Sequence, residues 1–95
     1  MRKLDIVNQI HSKTNINRQD IKKVVESFMK EIKESLNNGQ NIYLRGFGTF
    51  ELKKRAEKTA RNILKNKIIK VPAYHIPKFK PCKSFKNEVL KNNII

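Results

Sequence analysis

The residues able to do chemistry in this chain are cations, and they crowd into one stretch. Between Arg45 and Pro81 the sequence opens with Arg45-Gly46-Phe47-Gly48-Thr49-Phe50-Glu51 and continues through Lys53, Lys54, Arg55, Lys58 and Arg61 to Asn62, Ile63 and Leu64. It then returns through Lys65, Lys67 and Lys70 to Tyr74-His75-Ile76-Pro77-Lys78-Phe79-Lys80-Pro81. From Lys53 to Lys70 almost nothing is available to build a core. Lysine and arginine at strand-like spacing, with two aliphatics at the far end, make an arm suited to a polyanion, DNA first. Each cation that neutralises a phosphate releases a counterion, so such binding weakens steeply with salt. The plainer alternative is a charged hairpin that only keeps the chain in solution.

Catalysis finds no support. The acids Asp5, Asp20, Glu26, Glu31 and Glu34 fall among lysines in helical segments, where surface pairing explains them. No Ser/His/Asp or Cys/His arrangement, carboxylate pair or glycine-rich phosphate loop stands out. His11 and His75 lie far apart and, with one cysteine, make no recognisable metal set. No enzyme activity, metal or cofactor is expected.

Charge separates the chain into two halves. Residues 1–52 carry 9 basic and 6 acidic side chains, net +3, and residues 53–95 carry 13 and 2, net +11. The binding potential therefore sits in the second half. Ninety-five residues make a single domain, 1–95, with a core small enough that sharing it with a second copy is expected. The lone Cys82 points to a reducing compartment. The start, Met1-Arg2-Lys3-Leu4-Asp5-Ile6, has no signal-peptide run, and no apolar run approaches bilayer length. A cytoplasmic protein is the expectation.

The elements that must carry the arm follow from periodicity. Leu4, Val7 and Ile10 predict a short helix from about Lys3 to Lys13. After a break at Thr14-Asn15-Ile16-Asn17, Asn17 as cap and Asp20 near the positive helix end predict a second start. Ile21, Val24, Val25, Phe28, Ile32 and Leu36 carry that helix to about Asn38, and Gly39 is the left-handed stop. This helical body spans about 1–39. Ile42 and Leu44 alternate with polar neighbours, as do Phe50 and Leu52, predicting two strands around Gly46-Phe47-Gly48. The second strand is expected to run on into the arm, reversing at Lys65-Asn66-Lys67. Pro72 and Pro77 on the return argue for edge positions or breaks. Sheet and arm together span about 40–81. A last helix, about 82–91, opens at Pro81-Cys82-Lys83-Ser84 and buries Phe85 and Val89; residues 91–95 are expected to fray.

The order of two helices, an Arg45-Gly46-Phe47-Gly48-Thr49-Phe50 turn, a basic arm with Arg61-Asn62, then Phe79-Lys80-Pro81 and a short helix resembles the HU/IHF family of bacterial histone-like, DNA-bending proteins, HU more closely than IHF. The likeness covers nearly the whole chain without insertions. It implies an α+β fold: a helical hairpin, a three-stranded antiparallel sheet with an extended β-ribbon arm, and a short C-terminal helix, in an intertwined dimer. It further implies arms that wrap the DNA minor groove, with a residue at each tip wedged between base pairs. The chain departs from the family pattern at three places. Ile63 stands where proline usually follows Arg-Asn, Lys65-Asn66 where Thr-Gly usually reverses the arm, and Cys82 where glycine usually precedes the last helix.

On this resemblance, the expected function is largely sequence-neutral binding, bending and compaction of double-stranded DNA in the nucleoid. Arm contacts are assigned to Lys53, Arg55, Lys58, Arg61, Asn62, Lys65, Lys67 and Lys70. The wedge is Ile63, since minor-groove benders displace stacking with apolar volume; Leu64 is the other candidate. The competing role for both is to pack on each other or on Ile68 and Ile69. Lys3, Arg45, Gly46, Lys80, Lys83 and Ser84 form a second set on the body, where glycine-turn and helix-start N–H groups suit phosphate. Phe28, Ile32, Leu36, Leu44, Phe47, Phe50 and Phe79 are assigned to the core shared by a homodimer. Tyr74, at the arm base, fits either core or stacking. Rival functions are a site-specific IHF-like bender working with a second subunit, a small structural RNA-binding protein, and a cationic membrane-active peptide.

Overall fold

The computed structural model describes residues 1–62 and 67–94, with the side chains of residues 60–62 and 67–69 outside what it describes. The chain divides into two compact units, Met1–Ser35 and the remainder from Leu36. In the first, α1 (Lys3–Thr14) and α2 (Arg18–Asn37) begin and end where local chemistry dictates. Asn15 takes the left-handed conformation, φ 59°, and its N–H reaches His11 O at 2.8 Å, closing α1. Asn17 Oδ1 accepts the Gln19 N–H at 2.8 Å, so the predicted cap of α2 is formed. His11 is half-exposed, and its Nδ1 lies 2.6 Å from the Ile16 carbonyl.

The helices run antiparallel, linked by Lys3 to Glu26 and by Arg18 Nε to Asn8 Oδ1. Val7 and Ile21 are the buried residues of this unit. Leu4, Ile6, Val24, Phe28 and Met29 stay exposed, so the apolar stripe on α2 is much wider than one chain covers.

In the second unit α2 stops at Gly39, φ 78°, whose N–H bonds Leu36 O. Three strands, β1 (Ile42–Leu44), β2 (Gly48–Arg55) and β5 (Tyr74–Pro81), form an antiparallel sheet in the order β1-β2-β5. β1 is short, and Asn41 Oδ1 accepts the Leu52 N–H at 3.2 Å just beyond its end. β3 (Lys58–Asn62) and β4 (Lys67–Val71) pair as a separate two-stranded ribbon. α3 (Lys83–Asn92) follows.

The arm is interrupted, and on the return side the break falls at Pro72, one of the two prolines that argue for it. Ala56 and Glu57 on one side, and Pro72 and Ala73 on the other, stand outside both ladders. Pro72 has no N–H to donate, so the ladder cannot close there. The register nevertheless carries through. The inner ladder ends at Arg55↔Tyr74; stepping past Ala56/Ala73 and Glu57/Pro72 leads to Lys58↔Val71, the first pair of the outer ladder. Pro77 lies on β5, an edge strand of its sheet, as proline requires.

Alternation gives the three-stranded sheet two unlike faces. Ile42, Leu44, Phe50, Leu52, Phe79 and Pro77 share one, fixed by the pairs Ile42↔Phe50, Phe50↔Phe79 and Leu52↔Pro77. Phe50 and Phe79 rings lie 4.8 Å apart, Phe47 and Phe79 4.9 Å, and Phe47 stacks on Phe85 of α3 at 5.5 Å. One expectation for the C-terminal segment needs correction: Val89 is 47% exposed rather than buried, because only Phe85 reaches this aromatic cluster.

Candidate nucleic-acid interface

The other sheet face is basic. Lys53, Arg55, Lys78 and Lys80 project from it and are all exposed, beside Thr49, Glu51 and Ile76. Lys78 is a residue that sequence reasoning missed. Its relation to Lys53 depends on register: Lys53 pairs with Ile76 and Glu51 with Lys78, which sets the two lysines diagonally on one face. The Lys78 ammonium, and after it the Arg55 guanidinium, hold Lys53 below the usual lysine range. Glu51, which pairs with Lys78 on the same face, partly offsets this repulsion, and the face stays net basic and suited to an anion.

Farther out, Lys58 and Lys70 lie on the outer ribbon, paired with Val71 and Thr59 respectively. Lys70 Nζ sits 3.8 Å from Glu57 Oε1, a loose pair with both side chains mostly exposed. Arg61 and Asn62 stand at the end of β3, opposite Ile68 and Lys67. The reversal was expected to include Lys67; that residue instead belongs to β4. Ile63, Leu64, Lys65 and Asn66, and with them the expected wedge, lie outside the described residues.

At the opposite end of the ribbon, Leu44 O accepts the Phe47 N–H at 3.0 Å, closing a turn with Arg45 and Gly46 at its centre. Gly46 has φ 81°, the positive value that the third position of a type II turn needs. Gly48 serves differently: a Cβ there would lie 2.5 Å from Lys80 O and 2.7 Å from the Phe79 ring. Phe47 O accepts the Cys82 N–H at 3.0 Å, which ties this turn to the first residue before α3. Lys80, Lys83, Ser84 and Arg45, four of the expected body contacts, therefore belong to one neighbourhood and are all exposed. Cys82 precedes the helix with its Sγ 3.2 Å from Ser84 Oγ, and that hydroxyl, followed by the Phe85 N–H, holds the thiol below its usual range. Lys3, the remaining body residue, lies in the first unit with its Nζ 2.7 Å from Glu26 Oε1. That hydrogen bond and charge hold Glu26 below the usual carboxylate range.

Among the described residues no group of three His, Cys, Asp or Glu gathers to hold a metal, and no described helix is long and apolar enough to cross a membrane.

The relatives agree with this geometry. At 38% identity over 94% of this chain and 92% of its own, the chain is similar to the DNA-binding protein HU of Thermus thermophilus. It is similar at 38% identity, over 94% and 93%, to the integration host factor subunit alpha of Haemophilus influenzae strain 86-028NP. An HU from Anabaena crystallised with DNA superposes with a TM-score of 0.85, at 28% identity and covering 94% of this chain and 97% of that one. The model of the family described as bacterial DNA-binding protein matches residues 1–90. With a three-helix, three-stranded α+β fold, a basic ribbon and this match over nearly its full length, the chain belongs to the HU/IHF family of bacterial DNA-binding proteins.

Proposed function

We propose that the whole chain, 1–95, acts as one architectural DNA-binding domain that bends and compacts duplex DNA with little regard to sequence. The observation carrying this reading is the ribbon. Two strands project from the sheet in one unbroken register, bear cations along their length, and beyond Arg55↔Tyr74 pair only with each other. Such a ribbon has the width and charge to follow a minor groove. Lys53, Arg55, Lys58, Arg61, Asn62, Lys65, Lys67 and Lys70 neutralise phosphates or meet groove edges along it. Lys80, Lys83, Ser84, Arg45, Gly46 and Lys3 hold the flanks, Lys3 after leaving Glu26. Ile63 supplies the wedge. Smooth bending of a short site costs on the order of 1–6 kcal/mol, which phosphate contacts on both flanks offset. Kinked, nicked or A·T-rich DNA is therefore preferred over straight duplex.

The working form is a homodimer in the nucleoid. In support, Val7, Ile21 and Leu36 are the buried hydrophobic residues among those described, while Phe28 and Phe47 are 46% and 43% exposed. A second copy covering Phe28, Ile32, Leu36, Leu44, Phe47, Phe50 and Phe79 completes the core.

The test is salt-dependent affinity for a duplex of about 35 base pairs with end-to-end FRET, for wild type and Ile63→Ala. Retained affinity and salt slope with loss of the FRET change is the expected result. A variant that bends DNA as wild type does removes the wedge and leaves the arm an electrostatic strap. A wild type that gives no FRET change sinks the bending reading itself.

A further inference from the structure

The basic face carries two residues to which the proposed duplex site assigns no role. The chain has two tyrosines and no tryptophan. Tyr43 pairs with Thr49 and Tyr74 with Arg55, and Thr49 and Arg55 share a face, so both tyrosines project from the basic side of the sheet. Tyr43 is 73% exposed and Tyr74 45%. Neither takes part in the phenylalanine cluster, which lies on the opposite face. An exposed tyrosine spends apolar area on water, and in a sheet this is normally avoided by packing across strands. Here both rings lie open, with Arg55 opposite Tyr74 and Lys80 two strands from Tyr43 in the same row. They stand six residues apart along β2, roughly 20 Å, with Lys53, Lys78 and one carboxylate, Glu51, between them, so the strip stays net basic.

Cations that track a backbone, alternating with open aromatic rings, are what single-stranded nucleic acid requires and duplex does not. Bases in a duplex are stacked on each other and offer no free face, whereas every unpaired base does. We propose that this sheet face is a second nucleic-acid site, taking unpaired nucleotides by stacking on Tyr74 and Tyr43 while Lys53, Lys78 and Arg55 hold the phosphates between. It shares Lys53 and Arg55 with the duplex reading but does not depend on bending or on the wedge. The depressed Lys53 ammonium fits this placement, since a phosphate set between Lys53 and Lys78 relieves their repulsion. DNA and RNA single strands present the same chemistry to such a face.

The composition supplies the assay. With no tryptophan, intrinsic emission at tyrosine wavelengths comes from Tyr43 and Tyr74 alone. Wild type, Tyr74→Ala, Tyr43→Ala and the corresponding phenylalanine variants are titrated with dT20 and with U20 by anisotropy and tyrosine quenching, alongside the duplex of the bending assay. Quenching of wild type is expected with at least one oligomer. Each alanine variant should lose about tenfold in single-strand affinity, each phenylalanine variant should keep it, and duplex affinity should hold in all four. Response to dT20 alone assigns the site to DNA strands, to U20 alone to RNA, and to both to either; each supports stacking. Unquenched emission, or alanine variants that bind both oligomers as wild type does, overturns the proposal and leaves duplex bending untouched. Equal loss of single-strand and duplex binding in the alanine variants also overturns it, since the tyrosines then serve the duplex site.

Discussion

Gly48 and Gly46 show how a single side chain decides what this surface can be. A methyl group at Gly48 meets a backbone carbonyl and a phenylalanine ring that is itself packed on two others, so neither can give way. Gly48→Ala is expected to cost about 1–3 kcal/mol, read as a lowered midpoint in chemical denaturation with an unchanged slope. Gly46→Ala meets nothing within 4 Å but must hold a positive φ, a cost of about 1–2 kcal/mol. Cys82 offers a different readout. The Ser84 hydroxyl donates to the thiolate, the charged form, and so lowers the pKa. The pH midpoint of Cys82 alkylation should therefore lie below that of a free thiol, and Ser84→Ala should move it upward. An unmoved midpoint would assign the effect to the helix start instead.

At the scale of elements, the boundaries were legible because their causes are local. Asn17 caps α2 through a bond two residues away, and Gly39 ends the same helix at its own φ. Asn17→Ala should lose about 1 kcal/mol, measurable by thermal unfolding. What escaped the sequence depends on pairing across long separations. The ribbon's interruption is half legible: Pro72 signals a break on the return strand, whereas Ala56 and Glu57 facing it carry no breaking signal of their own. Lys78 was passed over because only the register sets it beside Lys53. Tyr74 is weighed for stacking from the sequence, but its sharing a face with Tyr43 is not legible there, because the two lie on different strands with β2 between them. The α1–α2 link gives a pH-dependent signature. Lys3 depresses the Glu26 carboxyl, so its contribution exists above the ordinary carboxylate pKa and is lost as pH falls through the depressed one. The stability difference between wild type and Glu26→Gln should then be present at neutral pH and vanish in acid.

For the whole molecule the decisive quantity is buried apolar surface. Among the described residues no side chain falls below 2% exposure, and thirteen large hydrophobic residues are exposed. A homodimer places folding and association in one equilibrium, so the unfolding midpoint should rise with protein concentration. A midpoint constant over a hundredfold dilution, with a monomer mass in sedimentation, would remove the shared core. The basic charge belongs to this scale as well: a net +14 speeds the arrival of any polyanion, an effect that falls with ionic strength.

The interruption at Ala56–Glu57 and Pro72–Ala73 has a mechanical meaning. It removes two consecutive rungs without adding or deleting a residue on either rail. A bulge would make one rail longer and throw the far end permanently to one side. Equal rails joined through a rungless gap keep the outer strands in alignment, while the gap lacks the hydrogen bonds that stiffen the ladders on either side. A rigid ruler would fit one curvature of groove, whereas a jointed one can settle against many.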